Sequence, residues 1–132
     1  MFNSCNSVSD LYTFSISDIP IVNILSNAYT TQYGNDVTLE CTVTANPLHT
    51  VVFWQKIVNS QPLSINLANN AKYIGSTVGT PSLTILSTNL DDPGQYRCSA
   101  TNVVGTGQSQ DTTLTVTGGT YLTCDQTYLL KI

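Results

Sequence analysis

Side chains able to do acid–base or nucleophilic chemistry are scarce in this chain of 132 residues. His49 is the one histidine and follows the turn-forming sequence Asn46-Pro47-Leu48, which predicts an exposed loop position. Asp91 and Asp92 are adjacent on a predicted turn, where neighbouring side chains point apart, so they are not expected to act as a carboxylate pair. No nucleophile stands in an elbow motif beside a base. The chain is therefore predicted not to be an enzyme.

Sequence patterns that bind metals or cofactors are also missing. Calcium loops place oxygen ligands at alternating positions, and Asp91-Asp92-Pro93 does not. Gly105-Thr106-Gly107 is only superficially similar to a dinucleotide-binding loop, because it opens no helix. The 4 cysteines include no Cys-x-x-Cys pair, and a single histidine completes no zinc pattern. We therefore predict that the chain binds no cofactor and no metal.

The composition favours a protein partner over nucleic acid or lipid. Charged residues make up 9% of the chain, and the formal net charge is −4, whereas about a quarter of the residues of a typical soluble domain are charged. Only 4 residues are lysine or arginine, so the chain lacks the basic patch that nucleic-acid binding requires. No apolar run approaches the roughly 18 residues of a membrane-spanning helix. Direct membrane insertion of this segment is not expected.

Alternating apolar residues predict several β-strands. A turn at residues 91–94 leads into a strand whose inward-facing residues are Tyr96, Cys98 and Ala100. A second turn at 34–36 leads into a strand whose inward-facing residues are Val37, Leu39, Cys41 and Val43. Shorter strands are expected around Val52 and Trp54, around Leu83 and Ile85, and at 113–117. Residues 21–33 form a first strand that kinks midway.

Three further expectations concern less regular parts of the chain. Tyr12, Phe14 and Ile16 alternate and indicate a strand before the break at Pro20. Short edge strands are expected at 64–67 and 72–74. Leu90 is expected to fill the core beneath the turn that precedes Cys98.

The order and spacing of these landmarks resemble an immunoglobulin domain of the intermediate, or I-set, type. The resemblance spans about residues 20–117 and rests on Gly34-x-x-Val-x-Leu-x-Cys41, Trp54, Leu83-x-Ile85, Asp92-x-Gly94-x-Tyr96-x-Cys98 and Ala100-x-Asn102-x-x-Gly105. It implies an all-β fold: a Greek-key β-sandwich of two antiparallel sheets with an inter-sheet disulfide. We expect an immunoglobulin-like domain at 20–117, an N-terminal extension at 1–19 and a C-terminal extension at 118–132.

The resemblance also implies structural roles for particular residues. Cys41 and Cys98 should form the disulfide between the sheets, with Trp54 packed against it. The Tyr96 hydroxyl should bond to backbone at the corner, where Asp92 should pair with a basic residue, and Lys72 is the best candidate. These residues, with Gly94, Leu83 and Ile85, predict a stable fold and say little about what it binds.

Cys5 and Cys124 lie outside the segment that carries the resemblance, and three interpretations stay open for them. One tail can fold back along the domain so that the two cysteines form a second, internal disulfide. An extension can instead add a strand to the sheet of a neighbouring copy, with or without an intermolecular disulfide. The two cysteines can also belong to neighbouring domains of a longer chain.

The function that follows is recognition without catalysis. The even number of cysteines favours an oxidising compartment, so we expect an extracellular module, secreted or part of an ectodomain, that mediates protein–protein recognition or adhesion. The expected contact surfaces are the hairpin at 102–110, with Asn102, Val103, Val104 and Gly105, and the edge strands around 57–75. The alternative is a structural subunit of a self-assembled extracellular fibre or matrix, joined to further copies of itself through its terminal extensions.

Overall fold

The structure is a computed structural model that describes residues 16–68 and 71–118. These residues form eleven β-strands: β1 (Ile21–Ile24), β2 (Ala28–Gln32), β3 (Val37–Leu39), β4 (Cys41–Thr44), β5 (Val51–Val58), β6 (Gln61–Ser64), β7 (Tyr73–Gly75), β8 (Leu83–Ile85), β9 (Gly94–Thr101), β10 (Thr106–Gln108) and β11 (Thr112–Thr117). In the part of the chain that is described, no helix has the length and apolar character needed to span a membrane. Tyr12 and Phe14, of the predicted first strand, lie outside the described residues.

The larger sheet has the strand order β2-β11-β9-β5-β6, and β10 pairs with the end of β9. All of its pairings are antiparallel except that of β2 with β11, which is parallel, with Ala28 opposite Thr113 and Gln32 opposite Thr117. The strand predicted at 21–33 is thus two strands in two different layers. The chain crosses between the layers at 25–27, which explains the kink expected from its sequence.

The opposite layer consists of two small sheets. One is the pair β1-β4, and the other has three strands in the order β3-β8-β7. Glu40 lies between β3 and β4, and its backbone bonds to the crossover between β1 and β2 and to a side chain of β2. Its carbonyl accepts a hydrogen bond from Leu25 N at 3.1 Å, and its amide donates to the Tyr29 hydroxyl at 3.0 Å. The two layers are therefore joined at this point by backbone and side-chain hydrogen bonds as well as by packing.

A single apolar core lies between the layers. Cys41 and Cys98 form the disulfide that the resemblance implies, with Cα atoms 6.5 Å apart. Trp54 lies directly opposite Cys98 in the β5–β9 ladder, and its Nε1 donates to the Pro81 carbonyl at 2.8 Å. The residues of this core are almost completely buried: Val22, Leu39, Cys41, Val52, Trp54, Leu83, Ile85, Tyr96, Cys98, Ala100 and Leu114.

The corner before β9 is held by side-chain hydrogen bonds. The Tyr96 hydroxyl donates to the Asp92 carbonyl at 2.5 Å. The Asp92 carboxylate is buried and accepts from Lys72 Nζ at 2.6 Å and from Asn89 N at 2.8 Å. Burial raises the pKa of the Tyr96 hydroxyl, and the nearby Asp92 carboxylate raises this pKa further. Lys72 and Asp92 thus form the ion pair at the position where the resemblance places one.

The backbone conformation at this corner favours glycine at position 94. Its φ is +149°, and a Cβ added there would approach Lys56 Cε to 2.9 Å. Lys56 Nζ lies 5.6 Å from the centre of the Tyr96 ring and donates to the Asp91 carbonyl at 2.6 Å. A side chain at position 94 would displace the lysine from this position over the ring.

Two expectations from the sequence were wrong, one about this corner and one about an edge strand. Leu90 does not fill the core, because 48% of it is exposed. The buried residue here is Thr88, whose hydroxyl bonds to the backbone carbonyls of Gln32 and Asn35 at 3.1 and 2.8 Å. The loop that precedes β3 presents carbonyls at this point, so a hydroxyl satisfies it where a leucine would not.

The other difference is the edge strand expected at 64–67, which lies earlier, at Gln61–Ser64. Strand β5 continues to Val58, and a two-residue turn follows in which Asn59 and Ser60 both have positive φ. Such a turn returns the chain at once into an antiparallel strand. Because asparagine and serine at a turn do not by themselves specify a positive φ, the sequence left this register open.

The disulfide should contribute strongly to stability. Replacing both cysteines (Cys41→Ala with Cys98→Ala) is expected to lower the free energy of unfolding by about 4 kcal/mol, because the bond closes a large loop in the unfolded chain. Urea denaturation followed by Trp54 fluorescence measures the change. The control is Ile74→Ala on edge strand β7, expected to shift the free energy by no more than about 0.5 kcal/mol. Equal losses in the two variants would contradict this account of the core.

The raised pKa of Tyr96 predicts a loss of stability in alkali. The neutral hydroxyl stabilises the fold fully below the unfolded-state pKa of about 10, and this contribution is lost as the pH rises above that value. The free energy of unfolding should therefore begin to fall at about pH 10 and continue to fall as the pH rises towards the raised folded-state pKa of Tyr96, and it should fall less steeply in Tyr96→Phe. Tyr33→Phe, at an exposed tyrosine, is the matched control. An unchanged slope in Tyr96→Phe would refute the prediction.

Candidate functional site

The residues considered for chemistry do not form a catalytic site. His49 was expected to be exposed, but the structure shows it half-buried in its loop. Both of its ring nitrogens are buried without a hydrogen-bond partner among the described residues. The Asp92 carboxylate is occupied by Lys72 and Asn89. Within residues 16–68 and 71–118, no cluster of three histidine, cysteine, aspartate or glutamate side chains is arranged to hold a metal ion.

Three segments that are distant in sequence meet at one end of the sandwich. They are residues 16–20 before β1, the β4–β5 loop at 45–50 and the β9–β10 hairpin at 102–105, and we call this region the hairpin end. Asp18 N donates to the Asn46 carbonyl at 3.1 Å, and Thr50 N donates to the Thr101 carbonyl at 2.8 Å. The Asn46–Pro47 peptide bond in the loop is cis.

Asn102 connects all three segments. Its Nδ2 donates to the carbonyls of Asp18 and Pro47 at 2.7 and 3.0 Å. Its Oδ1 accepts from the backbone amides of Val104 and Gly105 at 2.9 and 3.1 Å. Only 4% of Asn102 is exposed, so this expected contact residue offers little surface to a partner in the free domain. It fixes the hairpin from beneath and leaves its neighbours to form the surface.

The surface of the hairpin end carries several exposed apolar side chains. Val103, Ile16 and Leu48 are 83%, 79% and 76% exposed, so these three large side chains lie almost entirely in solvent. Four further apolar residues of this end or its border are also exposed: Ile19, Ile21, Val51 and Val104. Isolated exposed apolar residues are ordinary, but a contiguous group of them marks an interaction surface.

A groove opens beside these residues. It lies between residues 16–21 and 44–46, has a volume of about 280 Å³ and is lined by Ile16, Asp18, Ile19, Ile21, Thr44, Ala45 and Asn46. One methyl group of Ile19 lies 3.0 Å from where a Cβ of Gly105 would be, which links the groove wall to the hairpin. Among the residues that form the hairpin end, Asp18 and His49 are the only ionisable ones. The Asp18 carboxylate accepts a hydrogen bond from Ile19 N at 2.7 Å.

The other expected contact residues lie elsewhere. Leu63 on β6 and Ile74 on β7 are exposed, and these strands are the outer edges of different sheets. Arg97 and Asp111 form an ion pair at 2.7 Å between β9 and the approach to β11. This contact raises the pKa of Arg97. Cys5 and Cys124 lie outside the described residues.

Sequence reasoning identified Val103 and Val104 but missed the rest of this apolar surface. Ile16 and Ile19 precede the first strand, and Leu48 lies in a loop. Ile16 was expected in an alternating strand with Tyr12 and Phe14, but it lies outside any strand and is exposed. At Ile19 and Leu48 no periodic pattern indicates exposure. The one available signal was a large apolar residue directly after the turn-forming pair Asn46-Pro47.

The comparisons with known proteins agree with this architecture. The family model of the immunoglobulin I-set domain matches residues 20–116. The chain belongs to the immunoglobulin I-set family. This I-set domain is similar to two solved structures at 24% identity: tandem Ig repeats of Dlar, with a TM-score of 0.61 over 76% of this chain and 50% of that one, and the N-terminal Ig1-2 module of the Drosophila receptor protein tyrosine phosphatase DLAR, with a TM-score of 0.60 over 79% and 48%.

Two relatives share sequence with this I-set domain. Cell adhesion molecule 4 of Xenopus laevis is 28% identical over 99 residues, which are 75% of this chain and 23% of that protein. A titin homolog of Caenorhabditis elegans is 31% identical over 86 residues, which are 65% of this chain and a share of that protein that rounds to 0%. The chain thus spans less than a quarter of either relative. It is an immunoglobulin domain similar in sequence to part of a cell adhesion molecule.

The hydrogen bonds of Asn102 predict a measurable role in stability. Asn102→Ala removes a partner from two carbonyls and two amides, and it should lower the free energy of unfolding by about 1–3 kcal/mol. Amide hydrogen exchange at Val104 and Gly105 should become faster. Val103→Ala, at the exposed neighbouring position, is the control and should change stability by less than about 0.5 kcal/mol. Unchanged exchange in Asn102→Ala would show that the amide does not hold the hairpin.

Proposed function

We propose that this I-set domain is a non-catalytic extracellular module that recognises protein through its hairpin end, in adhesion or in receptor recognition. The observation that carries the proposal is the exposed apolar surface formed by Ile16, Leu48 and Val103 beside the groove. Burying such side chains against a partner contributes free energy roughly in proportion to the apolar area removed from water. The similarity to a cell adhesion molecule supports recognition as the general role.

The extracellular location is supported by the disulfide. Cys41 and Cys98 are buried between the sheets, and disulfides of this kind persist in oxidising compartments. The fibre alternative has no comparable support, because nothing in the described residues favours it and Cys5 and Cys124 lie outside them.

The near absence of charge at the hairpin end also suggests what kind of contact it makes. A surface with one carboxylate and several branched aliphatic side chains gains little from long-range attraction. Its binding should depend on shape and on the displacement of water, and it should change little with ionic strength. The part of the partner that it meets should be apolar and carry few charges.

Cell adhesion tests the role directly. Suspended cells that display the full chain on an appended membrane anchor should aggregate, either with one another or with one of a panel of untransfected cell lines. Val103→Asp and Leu48→Asp should each abolish this aggregation, because a carboxylate at either position must be desolvated on contact.

The matched control is Ile74→Asp, which introduces the same charge at an exposed apolar residue on edge strand β7. It should leave aggregation unchanged, while equal surface display of all variants shows that they fold. Aggregation that survives both hairpin-end variants would place the contact elsewhere. A wild-type chain that aggregates with no cell type would count against adhesion.

A further inference from the structure

We propose that the partner of the hairpin end is a second copy of this chain, docked end to end about a two-fold axis. The inference rests on the recognition role proposed above and specifies the occupant of the surface. In this arrangement Val103 and Leu48 of each copy enter the groove of the other.

The hairpin end carries both halves of a complementary pair. Val103 and Leu48 protrude, at 83% and 76% exposure. The groove beside them is open, has a volume of about 280 Å³ and is lined mainly by Ile16, Ile19, Ile21 and Ala45, with Asp18, Thr44 and Asn46 as its polar members. That volume is many times the roughly 30 Å³ that one water molecule occupies in the liquid, so it accepts a branched aliphatic side chain. A two-fold interface uses the same patch on both subunits, and a patch with a projection and a recess satisfies this requirement by itself.

The charge distribution of the chain also favours contact between two copies at the hairpin end. The chain has a net charge of −4, so two copies repel each other unless they meet where few acidic groups lie. The hairpin end contains a single carboxylate, Asp18, which is already hydrogen-bonded to Ile19 N. The other acidic residues between 16 and 118 lie outside this end: Asp36, Glu40, Asp91, Asp92 and Asp111. Contact at the hairpin end therefore keeps most of the negative charge of the two copies apart.

The geometry of the hairpin end is already formed in the free domain. Asn102 fixes the hairpin relative to residues 16–20 and to the β4–β5 loop through hydrogen bonds to both segments. The distance between the protruding side chains and the groove is thereby set in the free domain. A contact between preformed surfaces loses less conformational entropy than one that must first be ordered.

Sedimentation velocity of the full chain tests the proposal. All proteins carry Cys5→Ser and Cys124→Ser, so that covalent linkage cannot imitate the contact. The wild-type surface should show a reversible monomer–dimer equilibrium at micromolar to millimolar concentrations. Val103→Asp and Thr44→Lys should each raise the dissociation constant by roughly tenfold or more, and Ile74→Lys should not change it.

Mixing the two single variants provides the decisive measurement. In a dimer of Val103→Asp with Thr44→Lys, the introduced carboxylate of one copy meets the introduced ammonium in the groove of the other. At the second contact, the native Val103 of the Thr44→Lys copy enters the native groove of the Val103→Asp copy. The equimolar mixture should therefore associate more tightly than either variant alone. Val103→Asp mixed with Ile74→Lys should show no such gain. Singly defective variants without rescue on mixing would overturn the two-fold arrangement.

The failure of this inference is distinguishable from the failure of the recognition role. A chain that stays monomeric at all concentrations overturns the second copy as partner. If cells that display the chain then still aggregate with untransfected cells, and Val103→Asp abolishes this aggregation, the hairpin end remains a recognition surface for a different protein. Aggregation restricted to cells that display the chain agrees with the dimer.

Discussion

The structure depends on one covalent contact between its two layers. Cys41 and Cys98 are 57 residues apart in sequence, and their bond holds β4 of one layer against β9 at the centre of the other. Since residues alternate between the faces of a strand, fixing these two positions fixes which residues of both strands face the core. Trp54, opposite Cys98 in the ladder, then occupies the space between the layers, and the remaining strands pair outward from β5 and β9.

Strand β9 carries this constraint to both ends of the sandwich. Its inward-facing positions are Tyr96, Cys98 and Ala100, and Asn102 is the next position in the same series. The central members are sealed in the core, whereas the two end members are polar and bond to loops. Tyr96 bonds to the corner before the strand, and Asn102 bonds to the three segments of the hairpin end. One strand thus positions the core, the corner and the proposed recognition surface, because its inward side chains change from apolar to polar where the core opens to solvent.

The sequence predicted those parts of the fold that local alternation determines. The inward residues of β3, β4 and β9 follow from a period of two, and their spacing to Trp54 led to the sandwich. Leu90 and the register of β6 were not predictable in this way, because they depend on a loop carbonyl that needs a donor and on positive φ at Asn59 and Ser60. The apolar end was only partly foreseen. Its members come from three segments that become neighbours only in the folded chain. The sequence around Asn102 does not distinguish a surface residue from a buried one, because its hydrogen-bond partners lie in the other segments.

The low charge of the chain changes what its surface can do. Most soluble domains discriminate between partners with charged groups, whose effect extends over a Debye length of about 10 Å. Here the charged side chains that matter to the fold are consumed in it: Lys72 and Asp92 hold the corner, and Arg97 bonds to Asp111. Selectivity at the hairpin end must then come from fit at short range, which requires a rigid surface. A buried amide with four hydrogen bonds is next in sequence to Val103, which is the most exposed valine among the described residues, and this arrangement meets that requirement. In the proposed contact the apolar side chains supply the free energy of binding, and Asn102 supplies the fixed geometry that makes the contact selective.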